Sequence, residues 1–256
     1  MGNEHTDIDA AKRLASGPFG NELANVASSY AAPIFWVKSE ASDGTAIDTA
    51  NGTAFFIDFG EIVCGVTAAH VYDGFRDDPG ISRGCRIGPS PHLFDLHQRK
   101  ISRGRNIDLF TFAVSRSEAE STKATIFTPG EWPPSPPKES QALVFAGFPG
   151  HEKRLDRLYH LQFGCFAGAA MIESVREFDF SCRVDRENMV PLPGRPLPEP
   201  EYNFAGASGA PVLRIHRGDV VHWELLGIVY QCGRSIVELI KIARADVICR
   251  DGVLAA

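Results

Sequence analysis

The chain has 256 residues, of which 26 are Lys or Arg and 32 are Asp or Glu, so its formal charge at pH 7 is −6. A hydrophobic fraction of 44% with 23% charged residues is in the ordinary range of globular proteins, and a chain of this length can bury enough surface to fold without disulfides or metals. The net negative charge argues against nonspecific nucleic-acid binding, which needs a basic face. No apolar run approaches the roughly 18 residues that span a bilayer, which argues against a membrane protein.

The six cysteines are far apart in the sequence, and none forms a C-x-x-C pair or lies at zinc-site spacing from a histidine. This pattern predicts reduced thiols and no metal site. The N-terminal residues include acids and lack the apolar stretch of a secretory signal. We therefore expect a cytoplasmic protein, and the sequence implies no cofactor.

Residues 1–30 are predicted to form a short helical N-terminal extension. Thr6 or Asp7 can cap a helix that runs to Leu14 and ends at Ser16-Gly17-Pro18. A second helical stretch is predicted over 21–30. We expect this extension to pack on the main domain.

From residue 31 onward the sequence consists of short apolar and aromatic runs separated by turns, which is typical of β-strands. In the first set, residues 31–127, the predicted strands are 34–37, 53–57, 62–66, 85–87 and 109–114. The segment 58–61 between the second and third of them reads as a hairpin turn.

A proline-rich segment, 128–140, separates this set from a second one over 141–256. Strands are predicted there at 142–147, 158–163, 178–184, 211–215, 223–229 and 236–240. Many short strands with Gly and Pro turns predict an all-β fold, and the central break predicts two β-barrels joined by a linker.

Three polar residues lie within otherwise apolar segments. His70 is predicted to close a buried strand at T-A-A-H, Asp108 opens a hydrophobic strand, and Ser208 lies between small residues in G-A-S-G-A-P. Taken alone, each has an ordinary structural explanation: a satisfied histidine, a turn-forming acid and a tight turn. Together they supply the base, the orienting acid and the nucleophile of acyl transfer, in the order His, Asp, Ser.

The glycines around Ser208 have a physical reason in this chemistry. An oxyanion hole needs backbone N–H groups aimed at one point, and glycine permits the backbone angles that aim them. The N–H groups of Gly206 and Ser208 are the predicted donors.

With these motifs the sequence resembles the chymotrypsin-like (trypsin-like) serine peptidases, over roughly residues 31–250. The resemblance rests on T-A-A-H at 67–70, I-D-L-F at 107–110 and G-A-S-G-A-P at 206–211, together with 52–56 and 227–229. It implies a double six-stranded antiparallel β-barrel with the active site in the cleft between barrels. It also implies that His70 takes the proton of Ser208 while Asp108 holds the imidazole.

Two positions depart from the family pattern. Ala207 stands where secreted, activatable members have an acid that pairs with a newly cut N-terminus, so that route of activation is excluded. This departure favours an intracellular, bacterial-type member of the family. Ala210 stands where glycine is more common, and its β-carbon is expected to narrow the approach to the serine.

The resemblance also places a substrate pocket near Tyr202 and along Tyr230, Gln231 and Cys232. No acid falls at the predicted pocket floor, which disfavours a strict Arg or Lys preference, although Glu201 is only one residue away. Ordinary packing is an equally good explanation of Tyr202 and Tyr230.

The sequence therefore predicts a serine endopeptidase that cleaves protein or peptide substrates through an acyl-enzyme on Ser208. Two alternatives stay open. The chain could be a binding module that kept the fold and lost turnover, or a peptidase that an activating protein partner switches on by ordering residues 191–207.

Overall fold

The structure is a computed structural model that describes residues 16–40, 47–78, 84–155, 161–184, 189, 197–199, 202–216, 222–233 and 238–255. The helix predicted to end at Leu14 lies outside these ranges. Within them, strands dominate and helices are few, so the predicted all-β class is confirmed.

The first sheet contains six strands, all paired antiparallel, in the order β4-β1-β2-β3-β6-β5. They are β1 (Ala32–Glu40), β2 (Ile47–Asp58), β3 (Val63–Thr67), β4 (Arg86–Ile87), β5 (Lys100–Arg103) and β6 (Phe110–Val114). Over the described residues this six-stranded sheet does not close into a barrel and has two edges. One is β4, a two-residue strand that pairs with β1 alone, and the other is β5, which pairs with β6 alone.

Aromatic side chains fill the core of the first sheet. Phe56, Phe110 and Phe112 are fully buried there. A β-carbon at Gly65 would lie 2.2 Å from the Phe112 ring, so only glycine leaves room for that ring on β3. The neighbouring Phe55 is equally buried, but its side chain belongs to a different core, which residues of both halves of the molecule form.

The second unit is a closed antiparallel barrel of six strands in the order β10-β11-β14-β13-β12-β7. Its strands are β7 (Ala142–Gly147), β10 (Phe166–Val175), β11 (Asp179–Arg183), β12 (Pro211–His216), β13 (His222–Gly233) and β14 (Leu239–Arg244). A separate two-stranded hairpin is formed by β8 (Lys153–Leu155) and β9 (Leu161–Phe163). Six strands in each unit, with a cleft between the units, make this the architecture of the chymotrypsin-like fold.

Over the described residues, three α-helices accompany the strands: α1 (Pro18–Tyr30), α2 (Ala69–Asp77) and α3 (Arg116–Ser121). Helix α1 begins three residues before its predicted start, because Pro18 fits the first helical position. It buries Leu23, Ala24 and Ala27 in the core that both units share. Helices α2 and α3 were not predicted, since each is too short to show a clear helical period.

The strands of the two sheets lie on either side of the proline-rich segment 128–140. This segment is held by the second unit: the Trp132 indole N–H donates to the Ile248 carbonyl at 2.6 Å, and the Ser135 N–H donates to Glu224 at 2.7 Å. The domain bounds given above stay a prediction. No helix in the described ranges has the length and apolarity needed to cross a membrane.

Candidate active site

His70 lies in the first turn of helix α2, not at the end of a strand as the sequence predicted. Strand β3 ends at Thr67, and the helix begins at Ala69 after an extended Ala68. The two alanines of T-A-A-H are almost completely buried, so they seat the helix start against the core of the first sheet. This leaves the His70 side chain half exposed at the surface of the cleft.

Asp108 lies just before β6 and binds His70 at two points. One carboxylate oxygen accepts the His70 backbone N–H at 2.9 Å, and the other lies 2.8 Å from Nδ1 of the imidazole. Because a carboxylate can only accept, Nδ1 carries the proton of this bond. The second ring nitrogen, Nε2, is therefore left able to take up a proton from another group.

The charge of Asp108 is maintained in spite of its surroundings. Burial alone would raise the pKa of its carboxyl. The hydrogen bond and charge of His70, with the backbone N–H groups of His70 and Ala69, outweigh burial and hold the pKa below its usual range. The carboxylate is therefore ionised at neutral pH and can stabilise an imidazolium.

Ser208 opens onto the same cleft as this pair. The cleft has a volume of about 370 Å³ and is lined by His70, Asp108, Phe204, Ala205, Ser208, Tyr230, Gln231 and Cys232. The Ser208 hydroxyl donates a long hydrogen bond, 3.4 Å, to the Tyr230 carbonyl. In the part of the chain that the structure describes, it has no hydrogen bond to His70, so the cleft brings the three residues together without joining all of them.

The backbone around Ser208 turns its carbonyls away from the cleft. The Ala205 carbonyl accepts the Gly150 N–H at 2.7 Å, and the Ala207 carbonyl accepts the Ala210 N–H at 3.0 Å. In a planar trans peptide the N–H points opposite to the C=O. The N–H groups of Gly206 and Ser208 therefore point the other way.

Among the described residues, neither of these two N–H groups has a hydrogen-bond partner. Gly206 has φ of +101° and Gly209 has φ of +94°, angles that favour glycine and that allow this alternation of carbonyls. The two donors predicted from the sequence are thus both unpartnered among the described residues, as donation to a ligand oxygen requires.

The four residues predicted for a substrate pocket divide into two groups. Tyr230, Gln231 and Cys232 line the cleft. Tyr202 does not: it is 4% exposed and packs against the rings of His151, Phe166 and Phe204. Tyr202 is therefore a packing residue, as the alternative explanation held. A large aromatic ring is stabilised more by burial among other rings than by a position on the cleft wall.

The side chain of Tyr230 does not point freely into the cleft either. Its hydroxyl donates to an Asp179 carboxylate oxygen at 3.0 Å. Burial, with the charge of Asp179, raises the pKa of Tyr230, so the phenol stays protonated. Tyr230 meets Ser208 through its backbone carbonyl alone.

Sequence reasoning missed two cleft residues, Phe204 and Ala205, although both directly precede the glycine of the serine motif. The expected narrowing by Ala210 is also not found. Ala210 is fully buried in the core of the second barrel and is not part of the cleft wall. Across the described ranges, no three His, Cys, Asp or Glu side chains are grouped so as to hold a metal ion.

No protein-family model and no curated protein matches the chain. Solved structures do match it. One comes from a study of aromatic interactions in the coupled folding and binding of the disordered Sesbania mosaic virus VPg protein; it is 14% identical, the match covers 84% of this chain and 92% of that chain, and the TM-score is 0.44.

Another is a thermostable serine protease from an extremophilic microorganism, 11% identical, with 86% of this chain and 92% of that chain covered and a TM-score of 0.46. At these identities and TM-scores neither likeness bears on what this chain binds or cleaves. Its function is therefore inferred from its own residues.

Proposed function

We propose that the protein is a serine endopeptidase that hydrolyses protein or peptide substrates through an acyl-enzyme on Ser208. The observation that carries the proposal is the meeting of three features at one cleft. These are the imidazole of His70 held by Asp108, the hydroxyl of Ser208, and the unpartnered N–H groups of Gly206 and Ser208.

In the proposed reaction, Nε2 of His70 takes the proton of the Ser208 hydroxyl as Oγ bonds to the carbonyl carbon of the substrate. The electron pair of that carbonyl moves to its oxygen, to which the Gly206 and Ser208 N–H groups donate hydrogen bonds. His70 then returns the proton to the leaving amine as the C–N bond breaks. In the second half of the reaction, water attacks the acyl carbon while His70 takes its proton. His70 then returns that proton to Oγ of Ser208 as the acyl–oxygen bond breaks and the carboxylic acid product leaves.

The Ser208 side chain must turn for the first step. Its hydroxyl donates to the Tyr230 carbonyl in this structure, and a rotation about the Cα–Cβ bond brings it toward His70. Catalytic hydrogen bonds are often long or misaligned without substrate and tighten when it binds. The long 3.4 Å bond to Tyr230 is easily given up.

The cleft favours an uncharged side chain at the cut site. Apart from His70 and Asp108, its described lining is apolar or neutral: Phe204, Ala205, Tyr230, Gln231 and Cys232. Burial raises the pKa of Cys232 to about 12, so its thiol is neutral as well. Among the described lining residues, the only carboxylate that a lysine or arginine of a substrate would meet is Asp108, which His70 already binds.

A fluorophosphonate probe tests the proposal directly, because it phosphonylates an activated serine. We expect the wild-type protein to be labelled and Ser208→Ala to be unlabelled under the same conditions. Mass spectrometry of the labelled wild type should place the adduct on the peptide that contains Ser208. Equal labelling of both proteins would remove Ser208 from the role.

A second candidate function has one observation in its favour. Because the Ser208 hydroxyl is bound to the Tyr230 carbonyl and not to His70, the resting site is not assembled for proton transfer. This fits a binding module that has lost turnover, or a peptidase that a protein partner completes. A broad peptide library left uncut at high protein concentration, by a chain that also resists the fluorophosphonate, would favour this candidate.

A further inference from the structure

Three polar side chains of strand β2 face the second barrel at alternate positions: Thr49, Asn51 and Thr53. The residues between them, Ala50 and Gly52, face the core of the first sheet, as the two-residue period of a strand requires. Each of the three contacts the second unit. Lys153 donates to Thr49, and the Asn51 amide donates to the Phe148 carbonyl at 2.9 Å.

Thr53 makes the contacts that matter most for the candidate site. It is completely buried. Its hydroxyl donates to the Gly206 carbonyl at 2.9 Å and accepts the Phe148 N–H at 2.9 Å. Its backbone N–H donates to the Ser208 carbonyl at 2.8 Å. One residue of the first sheet thus binds two carbonyls of the serine segment.

With the two bonds of Thr53, all four backbone carbonyls around the predicted oxyanion donors are hydrogen-bonded. The carbonyls of Ala205 and Ala207 are held within the second unit, whereas those of Gly206 and Ser208 are held by Thr53. Every carbonyl from 205 to 208 is therefore fixed, and the directions of the intervening N–H groups follow. Without the Thr53 hydroxyl, the Gly206–Ala207 peptide loses its only side-chain partner among the described residues.

The backbone at Gly206 can change its conformation easily, so the hydrogen bond from the Thr53 hydroxyl is needed to hold it. Gly206 has φ of +101°, and glycine can leave such an angle at little steric cost. The Gly206 N–H and the Gly206 carbonyl belong to two successive peptide planes that meet at this α-carbon, so a bound carbonyl limits how far the plane of the N–H can rotate. The position of Thr53 is itself fixed, because the Thr67 hydroxyl of the T-A-A-H segment donates to the Thr53 carbonyl at 2.7 Å.

We propose that Thr53 is a positioning residue of the oxyanion hole: reaching across from the first sheet, it holds the Gly206 and Ser208 carbonyls and so restrains the peptide planes next to those that carry the two N–H donors. This proposal rests on the proposed peptidase function for its catalytic consequence. Its structural content, the control of the 204–208 backbone by one hydroxyl, stands independently of turnover. The docking of the two units thereby becomes a condition for reactivity.

The test compares three variants with the wild type. Thr53→Val keeps the shape and removes the hydroxyl, and Thr53→Ser restores the hydroxyl without the methyl group. Lys153→Met is the matched control, because it removes a contact between the same strand and the second unit that does not touch residues 205–208. Thermal unfolding of all four proteins shows which of them fold.

The first readout is the rate of phosphonylation by a fluorophosphonate, measured against probe concentration. Losing one oxyanion donor costs about 10²–10³ in rate, so we expect Thr53→Val to lower the maximal rate by roughly 10–100-fold with the half-saturating concentration little changed. Thr53→Ser should recover most of the rate, and Lys153→Met should retain it. A Thr53→Val protein that folds and reacts at the wild-type rate would overturn the proposal.

The second readout needs no activity. Amide hydrogen exchange should accelerate at Phe148 and across residues 204–210 in Thr53→Val, and in neither Thr53→Ser nor Lys153→Met. If the wild type itself does not react but this exchange pattern appears, the peptidase function fails while the positioning by Thr53 stands. Unchanged exchange in Thr53→Val would refute the positioning, whatever the wild type does.

Discussion

The two halves of the candidate site are held in different ways. In the first unit, the Asp108 carboxylate accepts hydrogen bonds from both the imidazole and the backbone N–H of His70, so the two residues are joined directly within one unit. On the second barrel, the Ser208 hydroxyl has no side-chain partner among the described residues. Its segment is held through backbone carbonyls, two of which are bound by Thr53 of the other unit.

This difference indicates which half depends on the assembly of the whole molecule. The His70–Asp108 pair needs only the helix start of α2 and the residue before β6, which the packing of the first sheet brings together. The donors of Gly206 and Ser208 need both units to be docked. We therefore expect the pair to tolerate small shifts between the units, and the serine segment to respond to them.

The largest expected effect tests the pair. Asp108→Asn keeps the size of the side chain but lets it donate to Nδ1, which stabilises the wrong imidazole tautomer. If the chain is a serine peptidase, phosphonylation and peptide hydrolysis should fall by about 10⁴-fold, as for an orienting acid of this kind. The melting temperature should change little, since the contact is near the surface. A loss of less than tenfold would show that the His70–Asp108 contact is structural only.

An intermediate effect tests the serine segment through its backbone. A β-carbon at Gly209 would lie 1.8 Å from the Thr53 carbonyl oxygen, so Gly209→Ala cannot be accepted without moving the two units apart. We expect a loss of at least about 3 kcal/mol in the free energy of unfolding, together with loss of labelling. Chemical denaturation of the purified protein measures the first quantity.

Gly60→Ala is the matched control for this substitution. Gly60 has φ of +92°, close to the +94° of Gly209, but no atom lies within 4 Å of the added β-carbon. It should therefore cost only about 1–2 kcal/mol, the penalty of the backbone angle. Equal losses at both glycines would mean that the angle alone matters and that the contact with Thr53 contributes nothing.

The smallest expected effect separates the stability of the first sheet from the reactivity of its site. Glu118 caps helix α3 and pairs with Arg99 at 2.7 Å. The hydrogen bond from Arg99 is the main cause that lowers the pKa of Glu118 from 4.5 to about 2. A carboxyl with a lowered folded-state pKa stabilises the protein above pH 4.5, and this contribution is lost as the pH falls toward 2.

Glu118→Gln should lower the free energy of unfolding by about 1–2 kcal/mol at pH 7, after allowance for the partial exposure of both side chains. The difference from the wild type should shrink between pH 4.5 and 2. Urea titrations at several pH values measure it. Labelling at pH 7 should be unchanged, and a large drop in labelling would show that the His70–Asp108 pair depends on remote parts of its sheet.

The strands and the candidate residues could be predicted from the sequence because their patterns are local. Short apolar runs separated by turns predicted the all-β class. The motifs around His70, Asp108 and Ser208 identified three of the residues that line the cleft. The helix at 69–77 was missed since two alanines and a histidine after a buried strand read as a continuation of that strand. Tyr202 was assigned to the pocket by the family resemblance, from its place six residues before Ser208 in the sequence, which gives no information on the direction of its ring.

The sequence by itself determined which chemical groups are available: an imidazole, a carboxylate, a hydroxyl, and glycines that permit unusual backbone angles at 206 and 209. Only the tertiary structure decided which N–H groups lack a partner, and that the Thr53 hydroxyl binds the Gly206 carbonyl. The physical reason is that these contacts join residues 153 positions apart. No local pattern specifies such a bond, and it exists only once the two units are packed together.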